Sequence, residues 1–441
     1  MSSPCVLSPI EADLIASDGL NPENRLSDTP FSVRWLLDAL SSDEKFAGLR
    51  TEAKIENIET TYISKGNALA SKVYKVAIKF VSIEDCYEVI LKVPGVEAFN
   101  EMAGEGEGPV TLEFITNAHN VECDFYNNYA PHLDIPVVKV FKAVKMAPEK
   151  NRGALLMESL IDKAEMLYIT TGCNREQASH IRKVVLIVKT SFQTFNLAKH
   201  LASFYKHFLC LPKEQWVGKY TDNVICSFAN EDIHAVHVEN FPKMRPGVFD
   251  RAYEIFKDYA FDHDFYRYTM TDVYKDVGLP LVLSHGDLHS GNMMWKLNSD
   301  GSVSNELAAI IDWQMIHEGC ITNDIARFMC VCLDGEVRRE CEYKVLQFMY
   351  DRIVELMKAD GKKVDFTYEQ MKKGYQANIV GEAPVIMIMV PLLFGNEEKW
   401  SAEEKPVKCA ERDRMLLRGQ YTLDDAIEYL KEIPNPKYRL T

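Results

Sequence analysis

The hydrophobic pattern of this 441-residue chain changes near Glu158, and that change limits the folds open to it. Between about residues 55 and 157, β-branched residues alternate with polar ones in the runs "IENIETTYIS", "SKVYKVAIKFV" and "YEVILKV". Alternation of this kind is typical of strands with one buried face, so the runs predict consecutive antiparallel strands. A helical pattern, "ITNAHNVECDFYNNYAPHL", comes next, and two further predicted strands, "VVKVFKAVKM" and "GALLMESL", follow it.

After Glu158 the spacing of apolar residues becomes mostly helical, as in "REQASHIRKVVLIVKTSFQTFNLAKHLASFYKHFL". Short apolar runs, "PLVLSHGD" and "LAAIIDW", interrupt this region. We therefore predict an α+β chain with a small antiparallel β lobe, residues 1–157, and a larger, mainly α lobe, residues 158–441. A helical extension occupies about residues 1–50 of the first lobe. In its sequence "SDTPFSVRWLLDAL", Asp28 or Thr29 is the predicted helix cap.

Composition narrows the class of protein. A hydrophobic content of 47% and a charged content of 26% are typical of globular chains. The net charge of −15 argues against a protein that binds nucleic acid through its phosphates. The 11 cysteines form no CxxC pair, which disfavours zinc and disulfide scaffolds and suits a reducing compartment.

Targeting signals are weak in this sequence. The first residues, "MSSPCVLSPIEADL", lack the basic and apolar regions of a secretory signal. The most apolar run, "APVIMIMVPLLFG", is short for a bilayer and contains two prolines. We expect a cytoplasmic protein with no membrane span and no nucleic-acid partner.

One short stretch, "LVLSHGDLHSGNMMW", carries the strongest chemical signal. Asp287 follows its apolar run, Asn292 lies in the loop beyond, and Asp312 ends a second apolar run, "AAIIDW". Phosphoryl transfer needs these groups: one carboxylate orients or deprotonates the attacking hydroxyl, while an amide oxygen and a second carboxylate hold Mg²⁺. The alternative is a solvated turn, since Asp, Asn, Gly and Ser are common turn residues. His289 is a candidate metal ligand, although a lone histidine is more often a hydrogen-bonding residue.

The motif "HGDLHSGN" followed by "IIDWQ" resembles the catalytic loop and metal-binding segment of the protein-kinase-like superfamily. The resemblance is to its small-molecule branch, which includes aminoglycoside phosphotransferases and choline and ethanolamine kinases. The longer run "IIDWQMIHEGCITNDIARFM" is most similar to the ecdysteroid-kinase-like (CHK-kinase-like) family of insects and nematodes. The resemblance covers about residues 55–400. "HGD" replaces the "HRD" of protein kinases and no APE-like motif follows, so a protein substrate is disfavoured.

This resemblance implies a bilobal protein-kinase-like fold, ATP and Mg as cofactors, and roles for particular residues. Asp287 would be the catalytic group, and Asn292 and Asp312 the metal ligands. Lys92 in "YEVILKVPG" would contact the α- and β-phosphates, and Glu122 in "NVECDFYNNY" would pair with that lysine. The alternatives for the last two are a solvated strand lysine and a surface-helix glutamate.

Two further nucleotide-binding segments are implied by the same resemblance. In "SKGNALASKVYKVAIKF", Gly66, Asn67 and Ser71 would belong to a phosphate-covering loop, although an ordinary hairpin fits the residues equally. In "GALLMESL", the backbone groups of Glu158 and Leu160 would bind adenine at an inter-lobe hinge. A buried strand leading into a turn is the alternative there.

The leading hypothesis is an ATP- and Mg-dependent phosphotransferase that phosphorylates an alcohol hydroxyl on a small molecule. A sterol-like or xenobiotic alcohol is favoured as substrate, and a choline- or ethanolamine-type activity is second. Two other hypotheses stay open: a catalytically silent nucleotide-binding relative, and a scaffold that contacts another protein through its N-terminal 50 residues. Phe265, Tyr266 and Tyr268 are candidates for the substrate pocket, with helix packing the favoured alternative. The sequence does not predict an oligomeric state.

Overall fold

The computed structural model describes residues 17–64, 71–95, 111–167, 180–224, 226 and 230–440, with 180–191 and 231–233 described by their backbone alone. The chain divides into two compact units. The first runs to Pro131 and also contains Val138–Ile161, and the second contains His132–Val137 and the chain from Asp162 onward. The lobe boundary predicted after residue 157 lies in the last segment of the first unit.

The first unit is built on an antiparallel sheet of five strands in the order β1-β2-β3-β5-β4. Its strands are β1 (Ile55–Tyr62), β2 (Ser71–Phe80), β3 (Tyr87–Pro94), β4 (Val140–Val144) and β5 (Ala154–Glu158). Its helices are α1 (Val33–Leu40), α2 (Glu44–Glu52) and α3 (Leu112–Asn128). The strands and helix predicted between residues 55 and 157 are therefore all present, in the predicted order.

The N-terminal helices α1 and α2 are part of the core of the first unit. Leu36, Leu40 and Phe46 are buried in one cluster with the inner face of the sheet. The predicted cap of α1 was wrong, because Ser32 caps that helix and Asp28 instead accepts a hydrogen bond from the Tyr74 hydroxyl at 2.5 Å. The apolar residues of both helices are therefore used in the core of the first unit.

The second unit is mainly helical and carries two small sheets. Its helices are α4 (His180–Cys210), α5 (Glu231–Asn240), α6 (Asp250–Phe256), α7 (His263–Tyr266), α8 (Val273–Val277), α9 (Asn323–Cys332), α10 (Gly335–Ala359), α11 (Tyr368–Phe394) and α12 (Lys405–Leu430). Its strands are β6 (Ala164–Met166), β7 (Leu281–Ser284), β8 (Met293–Leu297), β9 (Val303–Ile310) and β10 (His317–Cys320). Strand β7 pairs with β10, and the other sheet has the order β6-β8-β9. With the antiparallel sheet of the first unit, these elements confirm the predicted α+β kinase-like fold.

Helix α11 contains the most apolar run of the sequence, which was predicted to be too short for a bilayer. The run lies inside a 27-residue helix that continues through both Pro384 and Pro391. Within the described part of the chain, the segment Tyr368–Lys399 alone is long and apolar enough to cross a membrane, but 83% of its apolar window is buried inside the protein. Burial of that extent is typical of a core helix.

Candidate active site

The loop that follows β7 can form only because its second residue is glycine. Gly286 has a φ of +86°, and a Cβ at this position would lie 2.1 Å from the carbonyl oxygen of Met315. The left-handed region of φ and this close approach both require glycine. A short 3₁₀ turn, Ser290–Asn292, ends the loop, and His289 Nδ1 caps it by accepting from the Gly291 N–H at 3.0 Å. His289 is therefore a hydrogen-bonding residue of the loop, as favoured from the sequence.

The buried carboxylate of Asp324, at the start of α9, holds the main chain of this loop. Its Oδ2 accepts from the His285 N–H at 2.9 Å, and its Oδ1 accepts from the Gly286 N–H at 3.0 Å. The Tyr205 hydroxyl donates a third hydrogen bond to Oδ2, at 2.8 Å. Hydrogen bonds to an ionised acceptor are the stronger class, so the backbone just before Asp287 is firmly placed.

The Asp287 carboxylate is anchored by Arg327, which lies on α9, the helix that also carries Asp324. Oδ1 of Asp287 accepts from Arg327 Nε at 3.1 Å and from Nη2 at 2.8 Å. His289 Nε2 lies 3.6 Å from Oδ2. Burial alone would raise the pKa of the Asp287 carboxyl, but the neighbouring His289 ring and the Arg327 guanidinium hold it well below its usual range. Asp287 is thus ionised at neutral pH, and its side chain keeps 19% exposure to solvent.

Asn292 and Asp312 lie on two segments that hydrogen-bond to each other. The Asn292 side-chain amide donates to the carbonyl of Asp287 at 2.8 Å, and the Asn292 carbonyl accepts from the Ile311 N–H at 3.0 Å. Asp312 comes next in the chain and has a φ of +64°, which is rare for a residue other than glycine. Such backbone strain is concentrated at functional sites. The structure therefore brings the Asp287–Asn292 loop to the start of the Asp312 turn.

His285 ties these two segments together from behind the loop. Its Nε2 is 2.9 Å from the carbonyl oxygen of Ile311, and its ring packs on Trp313 with the centroids 4.6 Å apart. Both side chains are buried. The histidine of the "HGD" motif is therefore a structural connection between the Asp287 loop and the Asp312 turn.

The side chains of Asn292 and Asp312 have the chemistry that a magnesium site needs. The amide nitrogen of Asn292 is used in the loop, which leaves its oxygen as the group that can bind a cation. Amide and carboxylate oxygens are ligands that hard cations prefer. In the described part of the chain, no group of three or more His, Cys, Asp or Glu side chains could hold a metal. Two protein ligands completed by phosphate and water oxygens is the usual arrangement for Mg²⁺.

In the first unit, Lys92 and Glu122 form the ion pair that the sequence predicted. Lys92 Nζ on β3 lies 2.7 Å from Glu122 Oε2 on α3. The side chains are 12% and 1% exposed, so neither a solvated strand lysine nor a surface glutamate describes them. Contact of Lys92 with nucleotide phosphates stays a prediction.

The other predicted nucleotide-binding residues have different outcomes. Ser71 is buried at the start of β2, whereas Gly66 and Asn67 lie outside the described residues. The Glu158 N–H donates to the Lys139 carbonyl at 2.9 Å, so this donor is already used within the sheet. The role of the backbone groups of Glu158 and Leu160 in binding adenine stays a prediction.

Three charged residues of the site were not assigned from the sequence: Asp324, Arg327 and Glu382. Arg327 Nη1 donates to Glu382 Oε2 at 3.1 Å, and the two side chains are 9% and 2% exposed. Burial raises the pKa of the Glu382 carboxyl, and Arg327 opposes that rise. A signal was present for Arg327 and Glu382, since each is a charge among mostly apolar neighbours, and buried charges are rare unless paired.

The three aromatic residues proposed for a substrate pocket pack among helices instead. Phe265 and Tyr266 are fully buried and Tyr268 is nearly so. Phe265 stacks on Tyr259 with ring centroids 4.2 Å apart, and Tyr268 packs against Tyr438. This is the helix-packing alternative favoured from the sequence.

The fold, with the arrangement around Asp287 that it carries, belongs to the kinase-like class of folds. Within that class, the chain belongs to the DUF1679 family, whose model is described as "Uncharacterized oxidoreductase dhs-27" and matches residues 47–432. The ecdysteroid-kinase-like family expected from the sequence stays a prediction, because the description of this model does not test it.

Two curated proteins of Caenorhabditis elegans are similar to the chain. "Uncharacterized oxidoreductase dhs-27" is 25% identical over 374 residues, which is 82% of this chain and 42% of that protein. The chain thus spans less than half the length of this relative. "Uncharacterized kinase-like protein D1044.1" is 23% identical over 395 residues, which is 86% of this chain and 96% of that protein.

Among solved structures, the chain is similar to wild-type aminoglycoside 2'-phosphotransferase-IIIa in its GDP complex. The identity is 10%, the TM-score is 0.42, and the match covers 87% of this chain and 98% of that one.

Proposed function

We propose that the chain is an ATP- and Mg-dependent kinase that transfers the γ-phosphate to a hydroxyl group of a small-molecule alcohol. The observation that carries this proposal is the Asp287 carboxylate, which is ionised, anchored by Arg327 and adjacent to Asn292. A carboxylate in this state can accept the proton of an acceptor hydroxyl or orient its oxygen for in-line attack.

The remaining roles divide between metal and nucleotide binding. The Asn292 side-chain oxygen and the Asp312 carboxylate would hold Mg²⁺, which neutralises charge on the phosphates. Lys92, oriented by Glu122, would contact the α- and β-phosphates as a point charge. The main chain of Leu160 would contribute to binding adenine.

The acceptor that we propose is a sterol-like or xenobiotic alcohol, ahead of choline or ethanolamine. The support is the resemblance of "IIDWQMIHEGCITNDIARFM" to the ecdysteroid-kinase-like (CHK-kinase-like) family. The residues "IDWQ" in place of the choline-kinase form "IDFEY" favour the same order. A cytoplasmic location belongs to the same proposal.

Two measurements test the proposal: calorimetric binding of Mg·ATP, and transfer of ³²P from [γ-³²P]ATP to the alcohols of a metabolite extract. Asp287→Asn should keep Mg·ATP binding and slow transfer by about 10²–10⁴-fold, the usual loss for an acid–base group. Asp312→Ala should weaken both, because the phosphates lose their bridging cation.

Three outcomes decide between the hypotheses. A wild-type chain that binds no Mg·ATP contradicts the kinase assignment altogether. Binding of Mg·ATP without transfer to any component supports a silent nucleotide-binding relative. Full transfer activity in Asp287→Asn contradicts the role of that carboxylate.

A further inference from the structure

We infer that Arg327 and Glu382 are positioning residues that fix one oxygen of the Asp287 carboxylate and leave the other for the acceptor hydroxyl. This inference rests on the proposed function for the identity of the acceptor. The placement of the three side chains is independent of that function.

The two oxygens of Asp287 have different surroundings. Oδ1 accepts two hydrogen bonds from Arg327, at 3.1 and 2.8 Å, which uses its acceptor capacity. Oδ2 has longer contacts, 3.5 Å to the Asn292 side-chain nitrogen and 3.6 Å to His289 Nε2. Oδ2 is therefore the oxygen with capacity for a strong hydrogen bond to a hydroxyl.

Glu382 holds Arg327 in the orientation that its two hydrogen bonds to Asp287 Oδ1 require. The guanidinium of Arg327 presents Nε and Nη2 to Asp287, while its Nη1 donates to Glu382 Oε2 at 3.1 Å. A guanidinium is planar and rigid, so two carboxylates on different edges prevent its rotation. A lysine could not reproduce this arrangement, because its ammonium is a point charge on a flexible chain.

Helix α9 holds the backbone of the loop and the side chain of Asp287 through different residues. Asp324 and Arg327 are three residues apart and so lie on one face of the helix. Asp324 holds the main chain before Asp287, and Cys332 Sγ, at the end of the helix, accepts from the Ser290 N–H at 3.1 Å. Loss of Arg327 should therefore free the carboxylate while the loop backbone stays in place.

A second buried Arg–Glu pair in the same unit provides a matched control. On α10, Arg338 Nη1 lies 2.9 Å from Glu342 Oε2, and the two side chains are 1% and 3% exposed. Arg338 also bonds Asp425, and Glu342 accepts from the Tyr375 hydroxyl, so this pair serves helix packing. Buried pairs of this kind can often be exchanged for apolar residues without loss of stability.

The test compares two double variants, Arg327→Met/Glu382→Leu and Arg338→Met/Glu342→Leu, each of which removes a buried arginine and one of its two carboxylate partners. The first leaves the Asp287 carboxylate without its guanidinium, so its thermal midpoint should fall. Its Kd for Mg·ATP should stay within about twofold of wild type, while kcat for phosphate transfer falls about 10²-fold, the cost of a misplaced catalytic group. The second should keep kcat within about twofold. Arg327→Lys, which retains the charge without the fork, should remain at least about tenfold slower than wild type.

Crystal structures of wild type and Arg327→Met/Glu382→Leu provide a readout that needs no substrate. We expect the Asp287 carboxylate to leave its wild-type rotamer while the main chain of residues 285–286 does not move. An unchanged Asp287 rotamer, or an equal loss of kcat in the two double variants, overturns the positioning role. Failure of wild type to bind Mg·ATP contradicts the proposed function alone, and the crystal structures then decide the positioning role.

Discussion

Replacing Asp324 with asparagine tests whether one buried carboxylate holds the candidate catalytic loop. In the wild-type chain its two oxygens accept from the His285 N–H, the Gly286 N–H and the Tyr205 hydroxyl. Asparagine keeps the shape of the side chain but turns one acceptor into an amide donor. In either orientation that donor faces at least one main-chain N–H group of the loop.

The expected loss of stability can be worked out from these bonds. A hydrogen bond to a charged group contributes about 1.5–3 kcal/mol, and a buried donor left without a partner costs about 1–3 kcal/mol. With one bond lost and the others no longer charge-assisted, the free energy of unfolding should fall by about 2–4 kcal/mol. A displacement of the loop by an ångström is enough to slow transfer by about 10²-fold.

The assay combines urea denaturation with the kinetics of phosphate transfer, and Tyr205→Phe is the control. That change removes the hydroxyl bond to Asp324 and leaves both main-chain bonds in place. It should lower the free energy of unfolding by about 1–2 kcal/mol and leave kcat within about twofold. If Tyr205→Phe and Asp324→Asn slow transfer by the same factor, the bonds to the main chain are not what holds the loop.

Three other sites carry predictions. Gly286→Ala should destabilise the chain by at least about 2 kcal/mol in thermal denaturation and abolish transfer, because the added Cβ would overlap the carbonyl oxygen of Met315. A stable, active variant contradicts this. Glu122→Gln should lower the free energy of unfolding in urea by about 1.5–3 kcal/mol, because the hydrogen bond from the Lys92 ammonium loses its charged acceptor. Lys92→Met/Glu122→Leu should recover most of that stability without recovering Mg·ATP affinity, and recovery of both would exclude a phosphate role for the lysine. Burial lowers the pKa of His119 to about 4, so between pH 6.5 and 4 the unfolded chain binds a proton that the folded chain does not. Stability present above pH 6.5 is then lost as the pH falls, by about 2 kcal/mol at pH 5. In urea unfolding at pH 7.5 and 5, His119→Gln should remove this loss. The control His132→Gln, at an exposed histidine, should not. An equal loss of unfolding free energy between the two pH values in wild type and both variants would contradict the role of His119.

The order of elements and the residues of the "HGDLHSGN" motif could be predicted from the sequence because they depend on short-range patterns. Alternation with a period of two marks a half-buried strand wherever the strand lies, which is why the five strands of the first unit were recognised. The hydrogen bond from Asn292 to Asp287 is likewise local, since the two residues are five apart in the chain. Lys92 and Glu122 were found by their position on a predicted strand and helix.

Only the tertiary structure could decide which distant charges surround Asp287. Arg327 is 40 residues from Asp287 along the chain, and Glu382 is 55 residues beyond Arg327. Their contact depends on how α9 and α11 pack, and the hydrophobic pattern of a helix predicts its buried face but not its neighbour. The same reason applies to α11 as a whole. Its length and apolar composition fit either a membrane span or a core helix, and the burial of this helix by the rest of the second unit is what distinguishes the two.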